Sequence, residues 1–354
     1  LNRYDPKTEQ FYCYLPDPNV SHSISHPTVS SIVQADDGTF WLGTNGGGLN
    51  HFDPKSESFI AYQHDPEDPF SISGDVVLQV RLDPHGFLWV ATMNDGLNRF
   101  DPRTGEFRRI PSFDYIQALT LDQNGKLWVG SANEGLAWID TNTLETFRFP
   151  LDPSDPLSPI DNNIHTIFED KDGVIWVATQ MHGFARYDPL AHRFYHIRHD
   201  PELATSLATD NITTIYQDQS NIYWIGTMGK GVDRFDPYRS KFLHIFHQSQ
   251  VPSSLIDNSV WSIFQDDKDN LWVGTFNGIT QFSSDGVTRH FINDPADEHS
   301  ISSNSVFAIE QDQGGMFWFG TMDGLSRFDP KQDQFTNYPS AMVYSLVVDH
   351  QGTI

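Results

Sequence analysis

The chain has 354 residues and carries 22 Lys and Arg against 47 Asp and Glu, which gives a net charge of −25 with histidines neutral. Phosphates and anionic lipid headgroups would be repelled by such a chain, so nucleic-acid binding is excluded as its main function. Hydrophobic residues make up 38% and aromatic residues 13%, which indicates a packed core rather than disorder. The single cysteine, Cys13, excludes an internal disulfide and any Cys-rich metal site.

In chain order, the elements begin part-way through a repeated pattern. Residues 1–16 predict the third and fourth strands of a partial repeat. Seven complete repeats follow over 17–341, and residues 342–354 predict the first strand of a further repeat. The expectation is therefore a single repeat domain over 1–354 that is a piece of a longer chain. No apolar run approaches the roughly 18–20 residues needed to span a bilayer, so no direct membrane insertion is expected within it.

A tryptophan marks every complete repeat. An apolar or aromatic residue stands on each side of the tryptophan, and a small residue and then Thr or Ser follow, as in Leu-Trp-Val-Gly-Thr at 271–275. The spacings are 48, 39, 48, 48, 48 and 46 residues. The positions are Trp41, Trp89, Trp128, Trp176, Trp224, Trp272 and Trp318. A period of about 46 residues is typical of propellers and of helical arrays. The secondary structure predicted within each period distinguishes the two.

Each period predicts four short strands. A β-branched segment such as 212–216 comes first, then a turn, then the strand with the tryptophan. The turn has Asp six residues before the tryptophan in six copies, with Ala35 as the exception, and usually Gly three before it, which is typical of a tight hairpin. A third strand ends in Phe/Tyr-Asp-Pro, as at 97–102, and a fourth follows.

No stretch of twelve or more residues carries a helical apolar period. Four antiparallel strands per repeat without a helix predict an all-β protein, a β-propeller of four-stranded antiparallel blades. Seven blades are favoured, with eight as the alternative if the terminal half-repeats pair. The tryptophans are interpreted as scaffold that fills the wedge between blades, and the small residue two positions later lets neighbouring blades approach.

The recurring phrase Asp-x-x-Gly-x-x-Trp-Val-Gly-Thr-x-x-x-Gly-Leu-x-Arg-Phe-Asp-Pro resembles the two-component regulator propeller repeat. The likeness extends from residue 1 to residue 352. It implies a periplasmic ligand-sensing domain, tethered to the inner membrane in its parent protein, as in the sensor regions of bacterial hybrid histidine kinases or diguanylate cyclases. It also implies a small-molecule or oligosaccharide ligand and a possible homodimer through the parent receptor. The sequence contains no kinase or cyclase motif, so no enzymatic activity is expected of this chain itself.

Positions that vary between copies are the candidates for ligand recognition, because scaffold positions recur. Two sets vary: the loops between second and third strands, and the residue eleven before each tryptophan near the start of the first strand. Amides, carboxylates and a lysine beside aromatic rings suit a polyhydroxylated ligand at the propeller mouth. The candidates are Asn45, Asn94, Gln117, His165, His182, Lys230, Trp261, Asn277, Phe307, Asp323 and Tyr344.

Two other functions stay open. Asp95, Glu134 and Asp323 would supply carboxylates for a propeller lyase or glycosidase if they approached one another. The propeller would otherwise be a non-catalytic scaffold for protein interaction or dimerisation. No cofactor and no metal site are predicted: His64-Asp65-Pro66 and His199-Asp200-Pro201 recur at one loop position and indicate turn chemistry.

Overall fold

The computed structural model describes residues 1–5, 10–110, 113–203, 205–236 and 241–348. Every helix or strand found in these residues is a β-strand. The chain divides into two compact units. The first comprises Leu1–Ala178 and Ala185–His196, and the second comprises Thr179–Phe184 and Ile197–Ile354.

The first unit holds a two-stranded sheet and blades 1 to 4, except for the 179–184 loop of blade 4. The two-stranded sheet is β1 (Asn2–Asp5) and β2 (Gln10–Cys13). Blade 1 is β3 (Val29–Gln34), β4 (Phe40–Thr44), β5 (Leu49–Asp53) and β6 (Ser58–Tyr62). Blade 2 is β7 (Val77–Leu82), β8 (Leu88–Thr92), β9 (Leu97–Asp101) and β10 (Glu106–Ile110). Blade 3 is β11 (Ile116–Leu121), β12 (Lys126–Ser131), β13 (Leu136–Asp140) and β14 (Thr146–Phe149), and blade 4 is β15 (Ile164–Glu169), β16 (Ile175–Thr179), β17 (Phe184–Asp188) and β18 (Arg193–Ile197).

The second unit holds blades 5 to 7. Blade 5 is β19 (Ile212–Gln217), β20 (Tyr223–Thr227), β21 (Gly231–Asp236) and β22 (Lys241–Ile245). Blade 6 is β23 (Val260–Gln265), β24 (Leu271–Thr275), β25 (Gly278–Phe282) and β26 (Thr288–Phe291), and blade 7 is β27 (Val306–Gln311), β28 (Phe317–Thr321), β29 (Gly324–Asp329) and β30 (Gln334–Pro339).

The strands of each blade pair in sequence order, each antiparallel to the next where the register is defined. The prediction of an all-β propeller with seven four-stranded antiparallel blades is therefore confirmed. Eight blades would need another four-stranded sheet, and seven are formed by the residues that the structure describes.

Neighbouring blades within each unit pack through their first and second strands. In the first unit β3 packs against β7, β7 against β11, and β11 against β15; in the second, β19 packs against β23 and β23 against β27. The small residue two positions after the tryptophan makes this close approach of the blades possible. A Cβ atom on Gly130 would stand 2.6 Å from Cγ2 of Ile164 in the next blade, and one on Gly274 would stand 3.0 Å from Cγ1 of Val306. The predicted role of this position is confirmed.

The tryptophans fill the space between blades, as predicted. Six of the seven are buried and Trp224 is partly buried. Trp272 lies with its ring centroid 4.3 Å from that of Phe317 in blade 7, and Trp128 lies 5.1 Å from Tyr187 in blade 4. Large aromatic side chains of consecutive blades therefore form the core of each unit.

The hairpin turn joins the predicted Asp to the tryptophan directly. In blade 2, Oδ1 of Asp83 accepts the backbone N–H groups of His85 and Phe87, and Oδ2 accepts the indole N–H of Trp89 at 3.0 Å. The other five Asp–Trp bonds measure 2.8–3.0 Å. The residue three before the tryptophan has positive φ in all seven blades, including 61° at Asn221 and 63° at Asp269. One carboxylate therefore closes the turn and satisfies a buried donor.

The two ends of the described chain pack on their nearest blades. Tyr14 follows β2 and packs edge-on against Phe52 and Phe59 of blade 1. Val343 donates its backbone N–H to the Thr321 carbonyl at 2.9 Å and lies over Gly320 of blade 7. Residues 342–348 form no strand. Residues 349–354 lie outside the described part, so the assignment of 342–354 to a further repeat stays a prediction.

Candidate functional site

A β-bulge lies at the start of the first strand in six blades, at the position eleven residues before the tryptophan. In blade 6, Val260 pairs with Thr275 and Ser262 pairs with Gly274, so Trp261 is the extra residue. A bulge leaves one residue unpaired and redirects its side chain, and bulges are common beside functional sites. The sequence identified this position as variable but did not predict its bulge. The six bulge residues are Ser30, Leu78, Gln117, Thr213, Trp261 and Phe307.

Small hydroxyl residues at the bulge have a structural role. Ser30 donates to the carbonyl of Val77 at 2.5 Å, and Thr213 donates to the carbonyl of Val260 at 2.8 Å, which in each case joins one blade to the next. A Ser or Thr hydroxyl at the bulge therefore forms a hydrogen bond between neighbouring blades.

Two candidates of the first unit that stand eleven residues before a tryptophan are partly enclosed. The backbone carbonyl of Gln117 accepts a hydrogen bond from Nε2 of Gln79 at 2.7 Å, while its own side-chain Oε1 is buried without a donor. His165 holds the equivalent position of blade 4 in the sequence. Burial lowers the pKa of its imidazole, so the neutral ring is favoured there.

Three predicted residues of the second unit meet in one aromatic cluster, which consists of Trp261, Phe276, Phe307 and Tyr344. The Trp261 ring lies 5.1 Å from that of Phe276 and 5.7 Å from that of Phe307, in both cases edge to face. Phe307 also lies 4.9 Å from Tyr344. Phe276 is 37% exposed and Tyr344 is 54% exposed. The indole N–H of Trp261 is enclosed with no acceptor.

The sequence reasoning did not select Phe276 as a site residue. Phe276 follows Thr275, the recurring Thr at the end of the second strand. Its backbone N–H donates to the carbonyl of Ser259, which lies just before the first strand of the same blade. This bond places the residue after the Thr beside the bulge. Met228 and Met322 hold the same position in blades 5 and 7, and they are 37% and 47% exposed. The recurrence of apolar residues directly after Thr in the last three blades was the available signal.

The polar candidates of the second unit lie in loops after second strands. Asn277 donates through Nδ2 to the Asp257 carboxylate at 3.0 Å. The backbone N–H groups of His182 and Asp323 bond to the Thr hydroxyls of their own blades, at 2.9 and 3.2 Å. Lys230 is exposed. These contacts fix the loops and leave the polar side chains at the surface.

The polar loop candidates of the first unit are Asn45 and Asn94, and both are exposed. The Asn45 backbone N–H bonds to the carbonyl of Thr28, so its loop also lies beside the first strand of its blade. Of the catalytic candidates, Glu134 forms an ion pair with Arg148 at 3.4 Å, and Asp95 is exposed. Asp323 belongs to the second unit.

The histidines of the recurring loop support turns. Nδ1 of His64 lies 2.8 Å from the carbonyl oxygen of Ile72, and Nδ1 of His199 lies 2.6 Å from that of Leu207. The ring N–H donates in each pair, which confirms turn chemistry at these positions. Across the described residues, no three His, Cys, Asp or Glu side chains are grouped so as to hold a metal ion. None of the described segments is a helix of the length and hydrophobicity that a membrane crossing requires.

Several solved structures share the fold of this chain. The extracellular domain of BT3049 from B. thetaiotaomicron, described as a hybrid two component system, aligns with a TM-score of 0.58 at 22% identity, over 94% of this chain and 49% of that one. The extracellular domain of BT4673 from the same organism, described as a one component system, aligns at 0.56 and 18%, over 99% and 52%. Virginiamycin B lyase from Staphylococcus aureus aligns at 0.57 and 15%, over 88% and 95%. At these identities the likeness establishes the fold.

The chain thus spans about half the length of the two B. thetaiotaomicron domains. No curated protein matches its sequence significantly. The family model described as SMP-30/Gluconolactonase/LRE-like region matches residues 85–307, and the model described as Two component regulator propeller matches residues 23–46 and 300–323. The chain therefore belongs to the SMP-30/gluconolactonase/LRE-like family, and its repeats are those of the two-component regulator propeller.

Proposed function

We propose that this chain is the periplasmic ligand-sensing domain of a membrane-tethered bacterial receptor of the two-component type. The regulator propeller repeat supports this function, as do the extracellular domains of signalling systems among the structures with the same fold. Both domains are about twice as long as this chain. The tether, the output domain and any homodimer of the parent receptor are accordingly parts of the proposal.

The proposed ligand is a carbohydrate, and it binds at the aromatic cluster of the second unit. The observation that carries this proposal is the exposure of Phe276 and Tyr344 in contact with two bulge-positioned aromatic residues. The C–H faces of a sugar ring stack on such side chains. The hydroxyls of the sugar need polar partners, and the second unit offers the Asn277–Asp257 pair and Lys230 in its blade loops.

Calorimetry with a panel of neutral oligosaccharides tests the proposal. Phe276→Ala should lose most of the affinity for a saccharide that binds. Tyr344→Phe should bind nearly as the parent does, because the ring face is retained. Leu78→Ala changes the bulge of blade 2, outside the cluster, and serves as the control that keeps full affinity. If no saccharide binds, or if Phe276→Ala and Leu78→Ala bind equally well, the carbohydrate proposal is wrong.

The same panel separates sensing from catalysis. A receptor domain should bind a saccharide and return it unchanged, whereas a propeller lyase or glycosidase would release shorter products. Chromatography of each saccharide after prolonged incubation with the protein gives the answer. Products that disappear in Glu134→Gln or Asp323→Asn would replace the sensing proposal with an enzymatic one.

The exposed apolar residues of the second unit favour a second candidate, an interface with another copy of the chain. A contiguous patch of exposed apolar side chains marks a contact site, and Met228, Met322 and Tyr344 are each between 37% and 54% exposed. Sedimentation analysis over a range of concentrations should then show a dimer that Met322→Asp weakens. A monomer at all concentrations contradicts this candidate and leaves the aromatic cluster available to a ligand.

A further inference from the structure

An arginine-rich groove lies in the first unit, on the third and fourth strands of blade 2. Its volume is about 510 Å³. It is lined by Pro69 and Phe70 of the loop that enters the blade, by Phe87, and by residues of β9 and β10 and the turn between them. Phe70 is 57% exposed. The groove therefore combines an aromatic wall with charged strands.

The charge at this groove is opposite to that of the chain. Four of the 22 Lys and Arg residues fall between positions 99 and 109, in a chain whose net charge is −25. Two of them are already occupied. Arg103 makes a two-point ion pair with Asp101, at 2.9 and 3.0 Å, and Arg109 bonds to Ser71 and to loop carbonyls. The guanidinium groups of Arg103 and Arg109 therefore already have partners within the protein.

Among the described residues, neither of the remaining two, Arg99 and Arg108, forms an ion pair, although Asp101 and Glu106 also line the groove and the carboxylates of Asp83 and Asp101 act on the Arg99 charge. Arg99 lies with its guanidinium 3.5 Å from the Phe87 ring centroid, and its Nε is buried without a hydrogen-bond acceptor. Arg108 is exposed and stands directly opposite Arg99 in the β10–β9 register. Two like charges at opposite positions destabilise a sheet, and a buried donor without a partner adds to the cost.

The equivalent cross-strand pair in other blades avoids this repulsion. The pairs are His51–Ile60, Trp138–Phe147, Arg234–Leu243, Gln281–Arg289 and Arg327–Thr336. In blade 4, Arg186 lies over the Tyr195 ring at 5.3 Å. Among the described pairs, blade 2 alone sets two cations against each other. The scaffold therefore does not require the Arg99–Arg108 pair.

We propose that this groove binds a small anionic ligand, a carboxylate or sulfate ester, whose oxygens are held by Arg99 and Arg108 while its ring or apolar part packs on Phe70. An arginine fork donates two parallel hydrogen bonds to a pair of oxygens on a planar carboxylate or a tetrahedral oxyanion. An anion between the two guanidinium groups offsets their repulsion and accepts hydrogen bonds from their terminal N–H groups. The volume of the groove fits a single ring or a monosaccharide acid.

This site shares no residue with the aromatic cluster, which belongs to the second unit. The ligand chemistry has two sources, a free aromatic acid or an acidic sugar. Calorimetry at constant ionic strength with benzoate and phenyl sulfate represents the first source, and glucuronate represents the second. Benzyl alcohol provides the uncharged comparison. The anions are expected to bind, and benzyl alcohol is expected not to bind.

The variant that tests the groove is Arg108→Gln, which removes an exposed charge and should not disturb folding. We expect it to weaken anion binding about tenfold or more. Arg99→Lys keeps a charge without the fork and should weaken binding as well. Arg193→Gln removes an exposed arginine from the fourth strand of blade 4 and is the matched control, which should bind as the parent does.

Three results would overturn the proposal: no heat with any anion at millimolar concentration, equal binding of benzyl alcohol, or an affinity that Arg108→Gln and Arg193→Gln change to the same extent. Phe276→Ala should leave anion binding intact. Loss of saccharide binding in that variant with retention of anion binding shows that the two sites are separate, so either proposal can fail without the other.

Discussion

The tryptophan position and the bulge position stand eleven residues apart in every blade and behave in opposite ways. Trp272 is 1% exposed, bonded to Asp266 and packed on the next blade. Trp261 has the same side chain, yet it is partly exposed, unbonded at its N–H and surrounded by other variable residues. The difference shows that blade geometry restricts the first position to one side chain, whereas the bulge accepts Ser, Leu, Gln, Thr, Trp or Phe.

The largest effect expected from this contrast concerns the two tryptophans of blade 6. Trp272→Ala removes a buried ring between blades and should lower the free energy of unfolding by about 3–5 kcal/mol. Trp261→Ala should cost about 1 kcal/mol, because the ring is already partly exposed and loses mainly its contacts with Phe276 and Phe307. Urea denaturation followed by circular dichroism measures both. Equal losses would contradict the division into scaffold and variable positions.

The turn carboxylate gives the next largest effect. Asp266→Ala leaves the Trp272 indole N–H without an acceptor and removes two backbone bonds of the turn, so we expect a loss of about 1.5–3 kcal/mol. Asp267→Ala, at the exposed neighbouring position, is the control and should change little. Urea denaturation again serves as the measurement. If the two variants are equally stable, the Asp–Trp bond does not stabilise the blade.

The small residue after the tryptophan tests how closely blades must approach. Gly130→Ala puts a methyl group 2.6 Å from Cγ2 of Ile164 and should cost about 1–3 kcal/mol by overpacking. Blades 2 and 4 already have Ala91 and Ala178 there, both fully buried. Ala178→Gly should therefore cost about 0.5–1 kcal/mol through chain entropy. Thermal unfolding of both variants decides whether each blade is adjusted to its own residue, and a more stable Gly130→Ala would show that it is not.

The smallest effect depends on pH and concerns the first-strand residue that faces each tryptophan across the hairpin. This position holds Arg81 opposite Trp89 and Glu310 opposite Trp318. Burial raises the pKa of the Glu310 carboxyl and lowers that of the Arg81 guanidinium. Because the folded-state pKa of Glu310 lies above the unfolded one, its charge destabilises the fold increasingly as the pH rises from about 4.5 through the folded-state pKa.

Glu310→Gln should accordingly be more stable than the parent at pH 7, and the difference should vanish below pH 4. Stability curves of both proteins across that range provide the measurement. Glu298→Gln, at a position that is almost fully exposed, is the control and should show no such pH-dependent gain. A Glu310→Gln variant that is less stable at pH 7 would indicate that the carboxylate has a favourable partner.

The predictions from sequence succeeded where the same local chemistry recurs. The tryptophan spacing, the turn Asp and the small residue were enough to predict four-stranded blades, because each is required by geometry that repeats within forty to fifty residues. The predicted candidates Trp261, Phe307 and Tyr344 also meet in the structure. Phe276 was not selected, since its proximity to Trp261 depends on the backbone bond between Phe276 and Ser259.

The sequence by itself determined the fold class, the four-stranded blades and the identity of the scaffold residues, and it favoured seven blades over eight. Only the tertiary structure decided which variable residues come together. It showed that the position eleven before the tryptophan is a bulge in six blades, that hydroxyls there bond between blades, and that Arg99 opposes Arg108 across two strands. The physical reason is that repeats specify contacts within and between blades, whereas a binding surface depends on side chains from several blades whose approach no local pattern encodes.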